Sequence, residues 1–307
     1  KVEVQNSGKT YRIGKVTGTG ALGGSCTFSN GASVGANTWQ VGNDDNWTTS
    51  TRITSNANFV KVGEGKVTWN GKNTNTGATT VSEGELGVGT TGVLGTGRLT
   101  VAAGATLSGN NTRNKLTNTA VTVNGTLRPG ILATLSTGAL AFDSKPVTIN
   151  ENGVLQITAG RCATATANGC TSIEGVSTLT LNGTLRILLT AANSLNVGDS
   201  IRIFKADKFE GTPKFDFQDG AQWDTSRLSE GLLFLTGFGL EGDVNGDGTV
   251  DVADIAAIIS VMAGSVGSGF ATSADVNGDG TVDVADISTV ISIMAENARR
   301  MAEIIIF

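Results

Sequence analysis

The chain contains no histidine among its 307 residues, and it is poor in proline, cysteine and charged side chains, with 3 prolines, 3 cysteines and 16% charged residues. Without histidine, Ser-His and Cys-His nucleophile systems and histidine-ligated zinc are excluded. No apolar run approaches the roughly 20 residues of a membrane-spanning helix, because the run at 304–307 is far too short. The chain also lacks a basic cluster, so nucleic acid is not an expected partner.

Glycine is abundant, at 43 residues, and apolar residues make up 39% of the chain. The apolar residues occur in short alternating runs, which predicts a folded, mainly β protein. The length allows two or three domains with a substantial core. The net charge of −5 is unevenly distributed, since residues 242–307 contain ten acidic and two basic residues, a charge of −8, and residues 1–241 carry +3. The acidity therefore belongs to the C-terminal part.

A twelve-residue sequence occurs twice near the C-terminal end, at 243–254 and, 32 positions later, at 275–286. A calcium-binding loop of this length takes oxygen ligands from positions 1, 3, 5, 7, 9 and 12 and places a glycine at position 6 for a sharp turn. The predicted ligands are side-chain oxygens, except for the threonines, which offer a backbone carbonyl: Asp243, Asn245, Asp247, Thr249, Asp251 and Asp254, and Asp275, Asn277, Asp279, Thr281, Asp283 and Asp286. Such hard oxygens favour Ca²⁺ over Mg²⁺, which requires a tighter octahedron. We predict two Ca²⁺ ions, with folding of this part coupled to their binding.

Each loop is followed by a predicted helix with one apolar stripe at positions i, i+3, i+4 and i+7. The stripe residues are Ile255, Ile258, Ile259 and Met262, and in the second copy Ile287, Val290, Ile291 and Met294. Two loop-helix units are expected to bury these stripes against each other.

The duplicated segment resembles a type I dockerin, the paired calcium-loop module that binds cohesin domains in cellulosomes. Both loops end in aspartate rather than the usual EF-hand glutamate, and no helix is predicted before either loop, as in that family. The resemblance implies the Ca²⁺ ligands above, and it makes a cohesin-like protein one possible partner. Cohesin-binding members tend to carry polar, often hydroxyl, residues at loop positions 10 and 11, where this chain has Val252-Ala253 and Val284-Ala285. The partner therefore does not follow, and docking onto the protein's own β domain or a second copy stays open.

A strand-turn-strand motif recurs from about residue 65 onward. Its matching positions Val101, Val123, Ile149 and Leu181 are separated by 22, 26 and 32 residues. A constant motif at variable spacing is typical of a β-solenoid, here a parallel β-helix with insertions at its corners. Asn-Gly turns are also typical of antiparallel hairpins, so a β-sandwich is the alternative.

Residues 76–86 and 94–101 resemble the autotransporter-associated β-strand repeat of bacterial surface proteins. This resemblance implies an exported parallel β-helix with no chemistry of its own. The predicted organisation is a β-solenoid body at 1–190, a more aromatic β cap at 191–237 that closes the last rung, and a dockerin-like calcium module at 242–307.

The cysteines and calcium loops both indicate an extracytoplasmic protein. Cys162 and Cys170 bracket a small polar loop and are candidates for a disulfide, which leaves Cys26 over. We therefore expect secretion or the cell surface of a bacterium. The chain opens at Lys1 without methionine or leader. We expect a processed chain or a piece of a longer protein, and a catalytic domain upstream stays open.

Catalysis by the body would require paired carboxylates, as in a glycoside hydrolase or lyase acting on polysaccharide. The candidates are Asp44, Asp45, Glu83 and Glu85, although aspartates in turns usually serve backbone hydrogen bonding.

A carbohydrate-binding module is the third alternative. Trp39, Trp47 and Trp69 cluster early in the chain and would stack on sugar rings if exposed, whereas in a thin β fold they would fill the core. We predict a calcium-binding, non-catalytic structural or interaction protein, the tail of a larger polysaccharide-related or adhesive protein.

Overall fold

The computed structural model describes residues 2–4, 8–15, 27–30, 36–130, 138–160, 170–189, 195–218, 220–238, 241–245, 247, 249–264 and 274–305. The chain divides into two compact units, Lys1–Gln218 with Trp223–Leu235, and Asp219–Gln222 with Thr236–Phe307. We call the first unit the β body, and residues 241–305 of the second unit the C-terminal module.

The strands are short and follow one another closely along the chain. Their bounds are β1 Val2–Val4, β2 Thr10–Ile13, β3 Thr27–Asn30, β4 Thr38–Val41, β5 Trp47–Thr49, β6 Arg52–Thr54, β7 Asn58–Lys61, β8 Lys66–Trp69, β9 Lys72–Asn73, β10 Thr79–Val81, β11 Glu85–Val88, β12 Val93–Leu94, β13 Leu99–Val101, β14 Thr106–Gly109, β15 Val121–Val123, β16 Thr126–Pro129, β17 Ala139–Ile149, β18 Val154–Ala159, β19 Ser172–Leu181, β20 Thr184–Leu189, β21 Ser200–Arg202, β22 Phe204–Glu210, β23 Lys214–Phe217, β24 Ala221–Asp224 and β25 Leu232–Phe238.

Two long parallel sheets dominate the part of the β body that the structure describes. One has the order β2-β4-β7-β10-β13-β15-β17-β19-β22, and the other has the order β23-β20-β18-β16-β14-β11-β8-β5. Smaller groups are β1-β3-β6 and β12-β9. Because consecutive strands of the chain alternate between sheets, each turn of the chain adds a strand to each long sheet. This arrangement is compatible with the predicted parallel β-helix, and it differs from the antiparallel pairing of the sandwich alternative.

The register confirms which positions of the repeated motif are equivalent. Val101 is paired with Val123, Val123 with Ile149, and Ile149 with Leu181. All four side chains are fully buried. The unequal numbers of residues between successive motifs therefore lie in the segments that connect the strands. The apolar positions themselves stay stacked, and each strand buries its apolar side chains against those of its neighbours.

The Asn-Gly turns form corners between sheets rather than hairpins. The turn before β16 joins it to β15, and these strands belong to different sheets. A Cβ at Gly125 would lie 2.2 Å from the carbonyl oxygens of both Ala102 and Ala105. Glycine is required at this corner because the backbone of the neighbouring turn approaches so closely. The Asn-Gly dipeptide, which is also typical of hairpins, is therefore found here at a corner between two parallel sheets.

The early tryptophans are core residues. Trp39, Trp47 and Trp69 expose 2%, 8% and 0% of their surface. The indole N–H of Trp47 donates to Asn43 Oδ1 at 3.1 Å, and that of Trp69 donates to Asn73 Oδ1 at 3.0 Å. The core interpretation is confirmed, and these three rings do not form an exposed sugar-binding row.

The segment predicted as a cap has two parts. β22 and β23 continue the long sheets, in parallel with β19 and β20. Only β21, β24 and β25 form a separate three-stranded sheet, in which β21 and β25 are antiparallel. A short 3-10 helix, Leu228–Glu230, lies between β24 and β25. Parallel pairing therefore extends beyond residue 190, to Phe217.

One lysine is buried in the β body. Lys61 on β7 has no exposed surface, and its Nζ donates to the carbonyl oxygens of Val62 (3.1 Å), Gly63 (2.6 Å) and Glu83 (2.9 Å). Burial lowers the pKa of Lys61, and nearby carboxylates, that of Glu83 above all, oppose this effect. The three acceptors satisfy all three N–H groups of the ammonium.

The C-terminal module contains helices α1 (Val252–Met262) and α2 (Val284–Ile305). Among its described residues, the buried core contains Val244, Ile258, Ala274 and Val290, and partly buried apolar residues, among them Ile255, Ile287 and Met294, pack against it. No helix in the described part of the chain has the length and apolarity needed to cross a membrane. Of the cysteines, Cys170 is buried, whereas Cys26 and Cys162 lie outside the described residues, so the disulfide stays a prediction.

The predicted helical stripes are only partly correct. Ile258 and Val290 are fully buried, but Ile259 and Ile291 each expose 52% of their surface, and Met262 exposes 44%. Residues at i+3 and i+4 diverge by a large angle around a helix, and the small core contacts only one side of each stripe. The other side of the stripe faces solvent.

Candidate metal centre

The last residue of each loop is a fully buried aspartate that holds the loop together. Asp254 Oδ1 accepts the N–H groups of Val244 and Asn245 at 2.7 and 3.0 Å, and its Oδ2 accepts that of Asp251 at 2.8 Å. Asp286 repeats the three bonds at 2.8, 3.1 and 2.8 Å. The carboxylate at position 12 thus links the start of each loop to the start of its helix.

The aspartate at position 9 of each loop lies immediately before the first residue of the helix, and in the first loop it is the N-cap of α1. Asp251 Oδ1 accepts the N–H of Ala253 at 2.7 Å, and Asp254 accepts the N–H of Asp251, so the two aspartates form a capping box for α1. Asp283 Oδ1 accepts the N–H of Ala285 at 2.7 Å in the same way. Two predicted ligands of each loop therefore also satisfy N–H groups at the helix N-terminus, which have no partner within the helix.

In the centre of each loop, residues on both sides of position 5 donate hydrogen bonds to the aspartate at that position. Asp247 Oδ1 accepts the N–H of Thr249 at 2.9 Å and its hydroxyl at 2.6 Å, and Oδ2 accepts Asn245 Nδ2 at 2.9 Å. The Thr249 hydroxyl bond, followed by that from Asn245, lowers the pKa of Asp247. Asp279 has the matching bonds, and they lower its pKa as well. Both carboxylates therefore stay ionised at neutral pH.

The aspartate at position 1 of each loop, a predicted ligand, also accepts a loop N–H group. Asp243 Oδ1 accepts the N–H of Asp247 at 3.1 Å. In the second loop, Asp275 Oδ2 accepts the N–H of Gly280 at 2.9 Å, and Oδ1 is buried with no donor among the described residues within hydrogen-bonding range. Gly280 has a φ of +89°, a conformation that favours glycine at this bend. Its counterpart Gly248 lies outside the described residues.

The residues of the loops fit a hard divalent cation. The donor set consists of carboxylate, amide and carbonyl oxygens, and the buried Asp275 Oδ1 is an oxygen that lacks a positive partner. The side chains nevertheless point to loop N–H groups, and in the described ranges no three acidic or cysteine side chains converge closely enough to hold a metal. Ca²⁺, when bound, would supply positive charge that offsets repulsion between the carboxylates.

Each helix of the module also has a group of exposed apolar residues, which we call its exposed apolar face. On α1 it consists of Val252 (70% exposed), Ile259 (52%) and Met262 (44%), and on α2 of Val284 (69%) and Ile291 (52%). The valine and isoleucine of each helix are seven residues apart and lie on one face. The helical periodicity predicts both isoleucines in the core, whereas the i, i+7 repeat of Val252 and Ile259 is the sequence signal for this second, exposed face.

Two of the candidate acids of the β body accept backbone N–H groups, and a third accepts a side-chain amide. Asp44 Oδ1 accepts the N–H of Glu64 at 3.1 Å, and Glu83 Oε2 accepts that of Gly63 at 2.6 Å. Asp45 Oδ2 accepts Asn43 Nδ2 at 3.0 Å. These contacts are the hydrogen bonds expected of acids in turns.

Glu85 lies in a half-buried ion-pair network. Its carboxylate contacts Lys66 Nζ at 2.7 Å, Arg128 Nη2 at 2.7 Å and Ser108 Oγ at 2.5 Å. Burial alone would raise the pKa of Glu85, but the hydrogen bonds from Lys66 and Ser108 and the charge of Arg128 outweigh it and lower the pKa. A general acid needs a raised pKa, so this environment does not favour that role.

Residues 241–294 match the model of the family described as the dockerin type I domain. No curated protein sequence shows a detectable similarity to this chain. The match supports a calcium-binding docking module in an extracellular protein, and it does not extend to the β body.

Proposed function

We propose that this protein is a secreted or cell-surface, calcium-binding scaffold in which a β-solenoid at 1–190 and its closing segment at 191–237 carry a docking module at 242–307. Each loop of the module would hold one Ca²⁺ through the six ligands predicted from its sequence. The module would attach the chain to a cohesin-like protein, in the context of a larger polysaccharide-related or adhesive protein.

The exposed apolar faces of the two helices are the observation that supports the docking proposal. Val252 and Ile259 on α1 and their counterparts Val284 and Ile291 are largely exposed in a small module whose core already contains other residues. Exposed apolar side chains on one face are typical of interaction surfaces. The dockerin match gives the kind of partner this surface would bind. Apolar residues at loop positions 10 and 11 predict a partner surface that is itself apolar at the contact.

A non-catalytic role for the β body is supported by the positions of its candidate acids. Asp44 and Glu83 hold turns, and Glu85 is neutralised by Lys66 and Arg128. The buried tryptophans give no support to a carbohydrate-binding module. The enzymatic alternative would be tested by release of reducing or unsaturated sugars from pectin-like and other glycans, where turnover would overturn the non-catalytic proposal.

Docking is tested with the full chain immobilised on a biosensor and a type I cohesin domain as the probe. We expect binding in calcium that is lost on chelation, and at least tenfold weaker binding by a Val252→Ser, Val284→Ser double variant. Val197→Ser is the matched control, because Val197 exposes 60% of its surface in the β body. Failure to bind, or binding that is insensitive to both chelation and the double variant, would overturn the proposal. Self-association in ultracentrifugation would indicate homotypic docking.

A further inference from the structure

Asn-Gly dipeptides recur along the chain, and the proposed function does not use their chemistry. Asparagine deamidates readily when glycine follows it, because glycine has no side chain that keeps its backbone nitrogen away from the asparagine side chain. The glycine nitrogen attacks Cγ of the asparagine, ammonia leaves, and the resulting cyclic imide is opened by water to aspartate or isoaspartate. The structure describes both residues of five such pairs, which are Asn70-Gly71, Asn124-Gly125, Asn152-Gly153, Asn182-Gly183 and Asn277-Gly278.

Four of the pairs lie at corners of the β body, between strands of different sheets, and their glycines are buried and crowded. A Cβ at each of these glycines would lie 1.7 to 2.5 Å from a backbone carbonyl oxygen of the preceding turn. The flanking N–H groups are also engaged, since Asn124 and Thr126 donate to the preceding turn at 2.9 Å. At Gly153 the nitrogen that would attack donates to Asn150 O at 2.8 Å. Ring closure at a corner therefore requires a turn of the β body to open.

The fifth pair, Asn277-Gly278, lies in the second calcium loop and has room to react. Both residues are exposed, and a Cβ at Gly278 would meet no atom within 4 Å. Asn277 Nδ2 donates to Asp279 Oδ2 at 3.0 Å, and its Oδ1 accepts the N–H of Asp279 at 2.9 Å. Asp279 is itself exposed, so breaking these bonds costs less than opening a turn of the β body.

Calcium would control this reaction, because Asn277 is the predicted ligand at position 3 of its loop. A cation bound to Oδ1 would hold the side chain in place, and ring closure would then proceed only from the calcium-free loop. Binding to one state lowers the population of the other by a factor of 1 + [Ca²⁺]/Kd. The rate at Asn277 should therefore fall by the same factor.

We propose that Asn277 is a site of self-modification, which deamidates in the calcium-free loop and is protected when Ca²⁺ is bound. The isoaspartate product adds a methylene group to the backbone between loop positions 3 and 4 and so changes the spacing of the later ligands. The inference rests on the proposed calcium-binding function. The first loop contains the same pair, but Gly246 lies outside the described residues, so the inference concerns Asn277 alone.

The test follows the full chain during incubation at mildly alkaline pH, which favours loss of the proton from the glycine N–H. One sample contains a chelator, and the other contains Ca²⁺ at about ten times the dissociation constant measured by calorimetry. Mass spectrometry of proteolytic peptides detects the replacement of an amide by a carboxyl group. In chelator, Asn277 should react at least about tenfold faster than each of the four corner asparagines. Calcium should slow the reaction at Asn277 about tenfold.

Asn277→Gln assigns the signal, because ring closure from glutamine requires a six-membered ring and is much slower. A mass change that persists in this variant at the same peptide, or equal rates at Asn277 and the corners in chelator, would overturn the inference. A rate at Asn277 that is unaffected by Ca²⁺ would also overturn it, provided that calorimetry shows the ion to bind. A chain that binds no Ca²⁺ would overturn the proposed function instead, and the comparison in chelator would still decide whether Asn277 is the reactive residue.

Discussion

The β body and the C-terminal module treat acidic side chains in opposite ways. In the β body, Glu85 is neutralised by Lys66 and Arg128, and Asp216 by Arg186. The module has a net charge of −8 over residues 242–307, and its loop carboxylates accept hydrogen bonds from the loop itself. The β body contains basic side chains that balance these acids, so they need no external cation. We expect the acidic loops of the C-terminal module to depend on one.

The difference in core size adds to this contrast. The described β body stacks rows of fully buried apolar side chains through its parallel sheets, whereas among the described residues of the module four are buried in its core and the apolar residues packed against them are only partly buried. Small cores rarely stabilise a fold by themselves. Stability of the module should therefore vary with Ca²⁺, and that of the body should not.

The largest expected effect is loss of the module on removal of calcium. We expect chelation, or the Asp243→Ala, Asp275→Ala double variant, to abolish the helical circular dichroism signal of the module and leave the β signal in place, because repulsion between the loop carboxylates is no longer balanced. Limited proteolysis should cleave within residues 242–307 and leave the β body intact. A helical signal and protease resistance that do not change on chelation would contradict the comparison.

The next effect is a cavity in the β body. Leu155 is fully buried and stacks between Leu127 and Leu185. Leu155→Ala should lower the free energy of unfolding of the body by about 2–5 kcal/mol, measured by denaturant titration. Calcium affinity of the module should not change. Val197→Ala is the control and should alter stability by less than about 0.5 kcal/mol, and equal losses for both variants would refute this account.

A smaller effect concerns pH. The folded-state pKa of Glu85 lies below its unfolded value, so the ion-pair network stabilises the body fully above the unfolded pKa of about 4.3, and this contribution is lost as pH falls through the folded pKa. We expect Glu85→Gln to cost roughly 1–2 kcal/mol at pH 7 and progressively less in acid. Chemical denaturation at several pH values measures this. A cost that is constant down to low pH would show that the charge of Glu85 is not involved.

The smallest effect comes from one of two adjacent isoleucines in α1. Ile259 exposes 52% of its surface and Ile258 none. In calcium, Ile259→Ser should change module stability by less than about 0.5 kcal/mol, whereas Ile258→Ser should cost several kcal/mol. Thermal unfolding followed by circular dichroism distinguishes them. Similar losses at both sites would mean that Ile259 is part of the core and not of a docking face.

Part of this protein can be predicted from its sequence, because the relevant interactions are local. The ligand pattern of each loop lies within twelve residues, and Asp251 and Asp254 begin α1 through contacts three residues apart. The equivalence of Val101, Val123 and Ile149 is visible as a repeated motif, and the parallel register confirms it. Local spacing and motif repetition do not require knowledge of distant neighbours.

The rest depends on residues that are far apart in the chain. The corner at Gly125 is distinguished from a hairpin by the pairing of β15 and β16 with strands of different sheets, and its glycine is required by the carbonyl oxygens of Ala102 and Ala105. The burial of Lys61 requires the carbonyl of Glu83. Continuation of the parallel sheets to Phe217 depends on pairing with β19 and β20.

The twelve-residue duplication predicts the donor atoms, and it determines the helix starts and the negative charge of the module, because each is set by neighbours along the chain. Tertiary structure alone decided which face of α1 is buried, because the core of the module covers Ile258 and leaves Ile259 exposed. Adjacent residues of one helix acquire different exposure because burial is set by contacts in space and not by position in the chain.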